Sequence, residues 1–204
     1  MTLIKVCGIT SLDDALAAVD AGADALGFNF WPRSPRYISP ETARELIDQL
    51  PDRVLKVGVF VNEELHSLGR IAGALNLSAV QLHGDESPEY CSELKGRYVI
   101  KAFGARNDLH LSGYDVEAIM LDSKDDVLRG GTGRVFDWSI AQRANRSVPK
   151  LFLAGGLSPE NVAEAIVTVR PYAVDACSSL EETPGKKNHE RVRAFVNAVR
   201  KVET

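Results

Sequence analysis

Eight short apolar runs, spread over the whole chain and separated by amphipathic stretches, constrain this sequence more than any single motif. They fall at 3–7, 24–30, 54–61, 79–83, 98–103, 117–122, 150–154 and 172–177. Most are continuous rather than alternating, as expected of parallel strands covered on both faces. The stretches between them carry helix signals. After the first run, Ser11 is placed as an N-cap, Asp13 and Asp14 fill the first turn, and Gly22 is a stop. Ser-Pro-Glu recurs at Ser39, Ser87 and Ser158, 48 and 71 residues apart. These intervals are close to two and three units of about 24 residues. Each reads as a cap, a proline at the first helical position, and an acid at the positive end of the helix dipole.

Eight strand–helix units without a linker, low-complexity tract or charge block predict one (β/α)8 TIM barrel over 1–204, with helix 5 short or missing. Residues 107–115 contain Gly113 and lack an apolar stripe. A doubly wound open sheet is the alternative, but Cys7-Gly8-Ile9-Thr10 is not the glycine-rich turn a dinucleotide fold requires. The 204 residues suffice for a large core, and a net charge of -4 with no basic stripe argues against nucleic acid. No apolar segment reaches the roughly 18–20 residues of a membrane span. A strand beginning at Leu3 leaves no room for a signal peptide, and three widely spaced cysteines suit a reducing cytoplasm. The scattered cysteines and histidines give no metal pattern, so no metal site is expected. The sequence is silent on monomer or dimer.

In such a barrel the chemistry sits at the C-terminal ends of strands. Those ends carry Cys7, the loop Trp31–Ile38, Asn62, His83, Phe103-Gly104, Asp122, Gly155-Gly156 and Ser178-Ser179. Gly155 and Gly156, with Ser178 and Ser179 on the adjacent loop, form a candidate phosphate site. Free cysteine is often a small buried hydrophobe, and aspartate often opens a loop. Yet around the ring Asp122 and Cys7 flank the two phosphate loops, which suits an acid and a base acting on one bound sugar phosphate. Alternation places Lys5 inside with Cys7, where an ammonium needs a partner; Asp175 on the neighbouring strand is the candidate. Lys5 would also favour a Cys7 thiolate, although a purely structural ion pair is an equal reading. Arg33 and Arg36, in a loop stiffened by two prolines, could fork a carboxylate.

Lys5-Val6-Cys7-Gly8-Ile9-Thr10 resembles the opening signature of phosphoribosylanthranilate isomerase. The likeness continues through Gly27-Phe28, Ser34-Pro35-Arg36-Tyr37, Gln81-Leu82-His83-Gly84 and Leu121-Asp122-Ser123. It runs on to Gly130-Gly131-Thr132-Gly133, Phe136-Asp137-Trp138, Leu153-Ala154-Gly155-Gly156-Leu157 and Pro184-Gly185-Lys186-Lys187. The resemblance implies a cofactor-free Amadori rearrangement of a small phosphoribosyl substrate in tryptophan biosynthesis. It implies Asp122 as general acid, Cys7 as general base, Arg36 on the anthranilate carboxylate, and the seventh and eighth loops on phosphate. Lys5, His83 and Asp175 are candidates for supporting or substrate contacts.

One departure stands out. The family pattern Asp-Val-Ser-Ser-Gly-Val-Glu reads here Asp175-Ala176-Cys177-Ser178-Ser179-Leu180-Glu181. If residue 179 must take positive φ, serine costs on the order of 1 kcal/mol. Two other readings compete: a barrel that binds a sugar phosphate without turnover, and a bifunctional histidine/tryptophan-pathway isomerase. The latter enzymes look to an aspartate where this chain has Cys7.

Overall fold

The computed structural model describes residues 1–123 and 136–202. Eight parallel strands close into a barrel in sequence order. They are β1 (Leu3–Cys7), β2 (Ala25–Asn29), β3 (Leu55–Phe60), β4 (Ala79–Leu82), β5 (Val99–Gly104), β6 (Ala118–Asp122), β7 (Leu151–Leu153) and β8 (Ala173–Ala176). Seven helices are described: α1 (Leu12–Ala21), α2 (Pro40–Ile47), α3 (Leu65–Ala74), α4 (Pro88–Ser92), α5 (Trp138–Asn145), α6 (Val162–Val169) and α7 (His189–Val202). No helix lies between β5 and β6, as expected from the missing stripe. Among the described residues no helix is long and apolar enough to cross a membrane.

The capping signals explain where most helices start. Ser11 accepts the Asp14 N–H, and Gly22 ends α1 at φ 103°. Ser39 and Ser87 accept the N–H groups of Thr42 and Tyr90, each with proline next in the chain. The third Ser-Pro-Glu differs. Asn161 Oδ1 accepts the Ser158 N–H at 2.8 Å and its amide donates to Gly156 O at 3.0 Å. These bonds hold 158–161 in a turn, so α6 begins at Val162 rather than at the proline. A two-stranded hairpin after β8, β9 (Glu181–Thr183) with β10 (Lys186–Lys187), is an element the apolar pattern does not announce.

Strand alternation splits the core in two. Ala25, Val57, Ile100, Met120 and Phe152 fill the barrel, while Ile4, Val6, Leu26, Leu121 and Leu153 pack under the helices. Lys101 breaks the apolar rule on β5. Its ammonium, nearly fully buried, lies 2.7 Å from Glu86 Oε2 and 2.8 Å from Gly84 O. Glu86 in turn accepts the N–H groups of Asn62 and Gly84, at 2.8 and 2.9 Å. One buried ion pair thus fixes the loops after β3 and β4 beside His83. Lys101→Met leaves that carboxylate unpaired, so urea unfolding should show a loss of about 3–5 kcal/mol. The double variant Lys101→Met/Glu86→Leu should recover part of it. A single variant as stable as the parent overturns this role.

Candidate active site

The same parity that fills the barrel floor selects what faces its mouth. One side of a cavity of about 250 Å³ is lined by Cys7, Asn29, Val59, Val61, Gln81, His83, Asp122, Asp175 and Cys177, all from strand ends. Below Cys7, Lys5 Nζ lies 2.7 Å from Asp175 Oδ1, and the two residues are register partners on β1 and β8. Burial works against the Lys5 ammonium, but Asp175 and Cys7 more than offset it and hold the group charged. The Cys7 thiol is drawn well below its ordinary range. The Cys177 side chain is the leading cause; burial opposes it, and the charges of Lys5 and Lys187 add to the lowering. Gly8, at φ 76°, gives way to the Arg36 stem and to Cys177; a Cβ there would meet Arg36 Cδ at 2.8 Å and Cys177 Sγ at 2.9 Å.

Asp122 occupies a different environment. Its Oδ1 accepts the Ser123 N–H at 2.7 Å, and Oδ2 lies 3.5 Å from His83 Nε2. His83 Nδ1 is 2.8 Å from Gln81 Nε2. With Gln81 donating there, the imidazole proton points at the carboxylate. Gly155, at φ 78°, packs on this residue; a Cβ there would meet Asp122 Oδ1 at 3.1 Å and strike the Ser123 N–H group. Gly155 therefore seats the aspartate, a duty beyond the backbone access inferred from sequence.

The two arginines part company. Arg33 is exposed, whereas Arg36 lines the cavity and grips Glu181 with Nε at 2.9 Å and Nη2 at 2.7 Å. Glu181 also takes Lys187 Nζ at 2.9 Å. Burial would raise its carboxyl, but these two cations hold it below the usual range. A smaller hollow of about 30 Å³ adjoins the cavity, sharing Asp122, Asp175 and Cys177 with it, and is lined by Gly155, Gly156, Ser178 and Ser179. Ser179 is not among the residues at positive φ, so the strain tied to that conformation does not arise. Its hydroxyl donates to Leu157 O. The Gly130-Gly131-Thr132-Gly133 segment lies outside the described residues. Among the described residues no group of three or more His, Cys, Asp or Glu is arranged to hold a metal ion. Sequence reasoning missed Gln81 and Cys177 as parts of this wall, and Glu181 and Lys187 as the ion pair behind Arg36; only the even spacing from Asp175 to Cys177 could have drawn Cys177 in.

A lowered thiol keeps its thiolate above the folded-state pKa and loses it as pH falls through that value. Cys91, which burial pushes up to about 11, stays a thiol at neutral pH. Iodoacetamide labelling followed by peptide mass mapping should therefore modify Cys7 at pH 7 while sparing Cys91. The Cys7 labelling midpoint should fall below the ordinary cysteine value of about 8.5. Lys5→Met should move that midpoint upward. A Cys7 midpoint at or above the ordinary value would refute a cation-stabilised thiolate.

Residues 4–198 match the family model of N-(5'-phosphoribosyl)anthranilate (PRA) isomerase. The chain is 49% identical over 205 residues to the N-(5'-phosphoribosyl)anthranilate isomerase of Citrifermentans bemidjiense, covering 99% of this chain and 98% of the relative. The crystal structure of phosphoribosyl anthranilate isomerase from Thermotoga maritima matches with a TM-score of 0.90 at 43% identity, covering 98% of this chain and 100% of that one. A crystal structure of such an isomerase in complex with reduced 1-(o-carboxyphenylamino)-1-deoxyribulose 5-phosphate matches with a TM-score of 0.87 at 42% identity, with the same coverage. With a family match over nearly its whole length and relatives of this identity, the chain belongs to the phosphoribosylanthranilate isomerase family.

Proposed function

We propose that residues 1–204 act as one catalytic domain converting phosphoribosylanthranilate to 1-(2-carboxyphenylamino)-1-deoxyribulose 5-phosphate, the aldose–ketose isomerisation of tryptophan biosynthesis, in the cytoplasm. The observation that carries the residue roles is that Cys7, Asp122 and Arg36 face one cavity whose wall continues into the Gly155-Gly156 hollow. The hollow takes the phosphate on backbone N–H groups of the two glycines and of Ser178 and Ser179. Asp122 gives its proton to the furanose oxygen. The C1′–O bond breaks as the anilino nitrogen lone pair forms a Schiff base. The Cys7 thiolate then takes the C2′ proton, and the electron pair left behind moves toward nitrogen to give the enolamine, which tautomerises to the ketone. His83 steers the acid, and the Lys5–Asp175 pair supports the base from below. Arg36 has spent its Nε–H and one Nη2–H on Glu181, so the Nη1 donors and the second Nη2–H are left for the substrate carboxylate. No resident metal or cofactor has a part in this scheme.

Cys7→Ala and Asp122→Asn should each lower kcat by at least about 10²-fold, the usual scale of an acid–base contribution. Both should still bind a reduced product analogue. Arg36→Ala and Gly156→Asp should instead weaken that binding, the first by loss of the carboxylate contact and the second by crowding and repulsion of the phosphate. The checks are loss of anthranilate-type fluorescence for turnover and calorimetry for binding. Near-normal turnover in folded Cys7→Ala would mean the base lies elsewhere. Unchanged affinity in folded Gly156→Asp would move the phosphate.

A further inference from the structure

Cys177 belongs to no step of that scheme, yet it lines the same cavity as Cys7. Val6 and Ala176 are register partners on the paired strands β1 and β8, and Cys7 and Cys177 are the next residues of each. Neighbouring strands lie about 4.8 Å apart, inside the Cα separation of about 4.4–6.8 Å that a disulfide spans. Two glycines leave the room that both sulfurs occupy. A Cβ on Gly27 would meet Cys7 Sγ at 2.6 Å, and one on Gly8 would meet Cys177 Sγ at 2.9 Å. Regular β8 structure ends at Ala176, and Cys177 takes φ -136° and ψ -85°, so its side chain is not tied to the ladder. Both thiols line the substrate cavity. Lys187 Nζ stands 3.8 Å from Cys177 Sγ. Cys7 is largely buried but lines the cavity, and cations beside such a thiol favour the reactive thiolate.

We infer that Cys7 and Cys177 form a vicinal dithiol site for hydroperoxides, closing to a disulfide that switches the enzyme off reversibly. The chemistry balances with hydrogen peroxide as the two-electron oxidant. The Cys7 thiolate attacks one peroxide oxygen, an S–O bond forms, the O–O bond breaks, and the departing hydroxide takes a proton to become water. Cys177 then loses its proton and attacks the Cys7 sulfenic sulfur. The S–S bond forms as the S–O bond breaks, and the second oxygen leaves as water. Closure removes the thiolate that takes the C2′ proton, so the loss of activity, unlike the disulfide itself, rests on the reading of Cys7 as the base. It also protects Cys7 from sulfinic acid, the oxidation step that thiols do not reverse.

Purified full-length protein, reduced and then treated with stoichiometric hydrogen peroxide, should yield a Cys7–Cys177 disulfide in non-reducing peptide mapping. Activity should fall to the level of Cys7→Ala and return on adding dithiothreitol. In Cys177→Ser and Cys177→Ala, each compared with its own untreated activity and checked for folding by circular dichroism, excess peroxide should cause a loss that dithiothreitol does not restore, with Cys7 recovered as sulfinic acid. Recovery of parent Cys7 as sulfinic acid with Cys177 free, or pairing with Cys91 instead, overturns the proposal. A mapped Cys7–Cys177 disulfide in fully active protein supports the dithiol site and overturns Cys7 as the base.

Discussion

The Lys5–Asp175 pair at the heart of the barrel is the interaction on which the site depends. Around it the interior is alanine, valine, isoleucine, methionine and phenylalanine, which offer an ammonium nothing. Lys5 is wholly buried, so without Asp175 its charge would cost several kcal/mol. Burial pushes the Asp175 carboxyl up to about 7 despite the ammonium beside it. At this carboxylate desolvation thus outweighs the attraction, and the pair is better understood by its position than as a large source of stability. It joins β1 to β8, the first and last strands, at the seam where the barrel closes. It also sets a fixed positive charge directly under Cys7, where a thiolate can use it.

Above this floor, Glu181 does for the rim what Asp175 does for the base. It binds Arg36 through two guanidinium nitrogens and takes Lys187 on its other side, while Thr10 ties the hairpin turn to the loop after β1 through Gly185 O. Long cationic side chains are costly to order. Here their rotamers are fixed before any ligand arrives, so the carboxylate of the proposed substrate would meet a guanidinium already held in place.

Barrel topology and the ring order of Cys7, Asp122 and the glycine loops were legible because each rests on local chemistry. Parallel strands need continuous apolar runs, and serine followed by proline marks a helix start. Ser39 and Ser87 cap helices as their sequence suggests, and Lys5 finds Asp175 because alternation fixes both side chains inward. What the sequence hid depends on contacts between distant segments. Ser158 gives up its cap to a turn held by Asn161, and Lys101 finds Glu86 only once β5 is seated against the loop after β4. Arg36 read as a free fork because its partner is 145 residues away on a hairpin with no apolar signature. Ser179 escapes the strain feared for it because one turn of 3-10 helix over Ser178–Leu180 keeps its φ out of the left-handed region.

The ring order also keeps Asp122 and Cys7, the proposed acid and base, apart within one cavity. Asp122 ends β6 and Cys7 ends β1, with β7 and β8 between them. Three intervals of an eight-stranded ring put the two groups nearly opposite each other across the mouth, and the phosphate hollow lies between them. Each therefore takes its electrostatics from its own side. The Cys7 side is rich in cations, with Lys5 beneath, Lys187 behind Cys177, and Arg36 above, all of which favour an anionic sulfur. The Asp122 side offers hydrogen bonds from the Ser123 N–H and a longer contact with the His83 imidazole, without a lysine or arginine ion pair among the described residues. In the proposed reaction, a sugar anchored by its phosphate between the two walls would present its ring oxygen to one and its C2′ hydrogen to the other. Proton delivery and proton removal would then occur at opposite faces of a ligand that need not move between the steps.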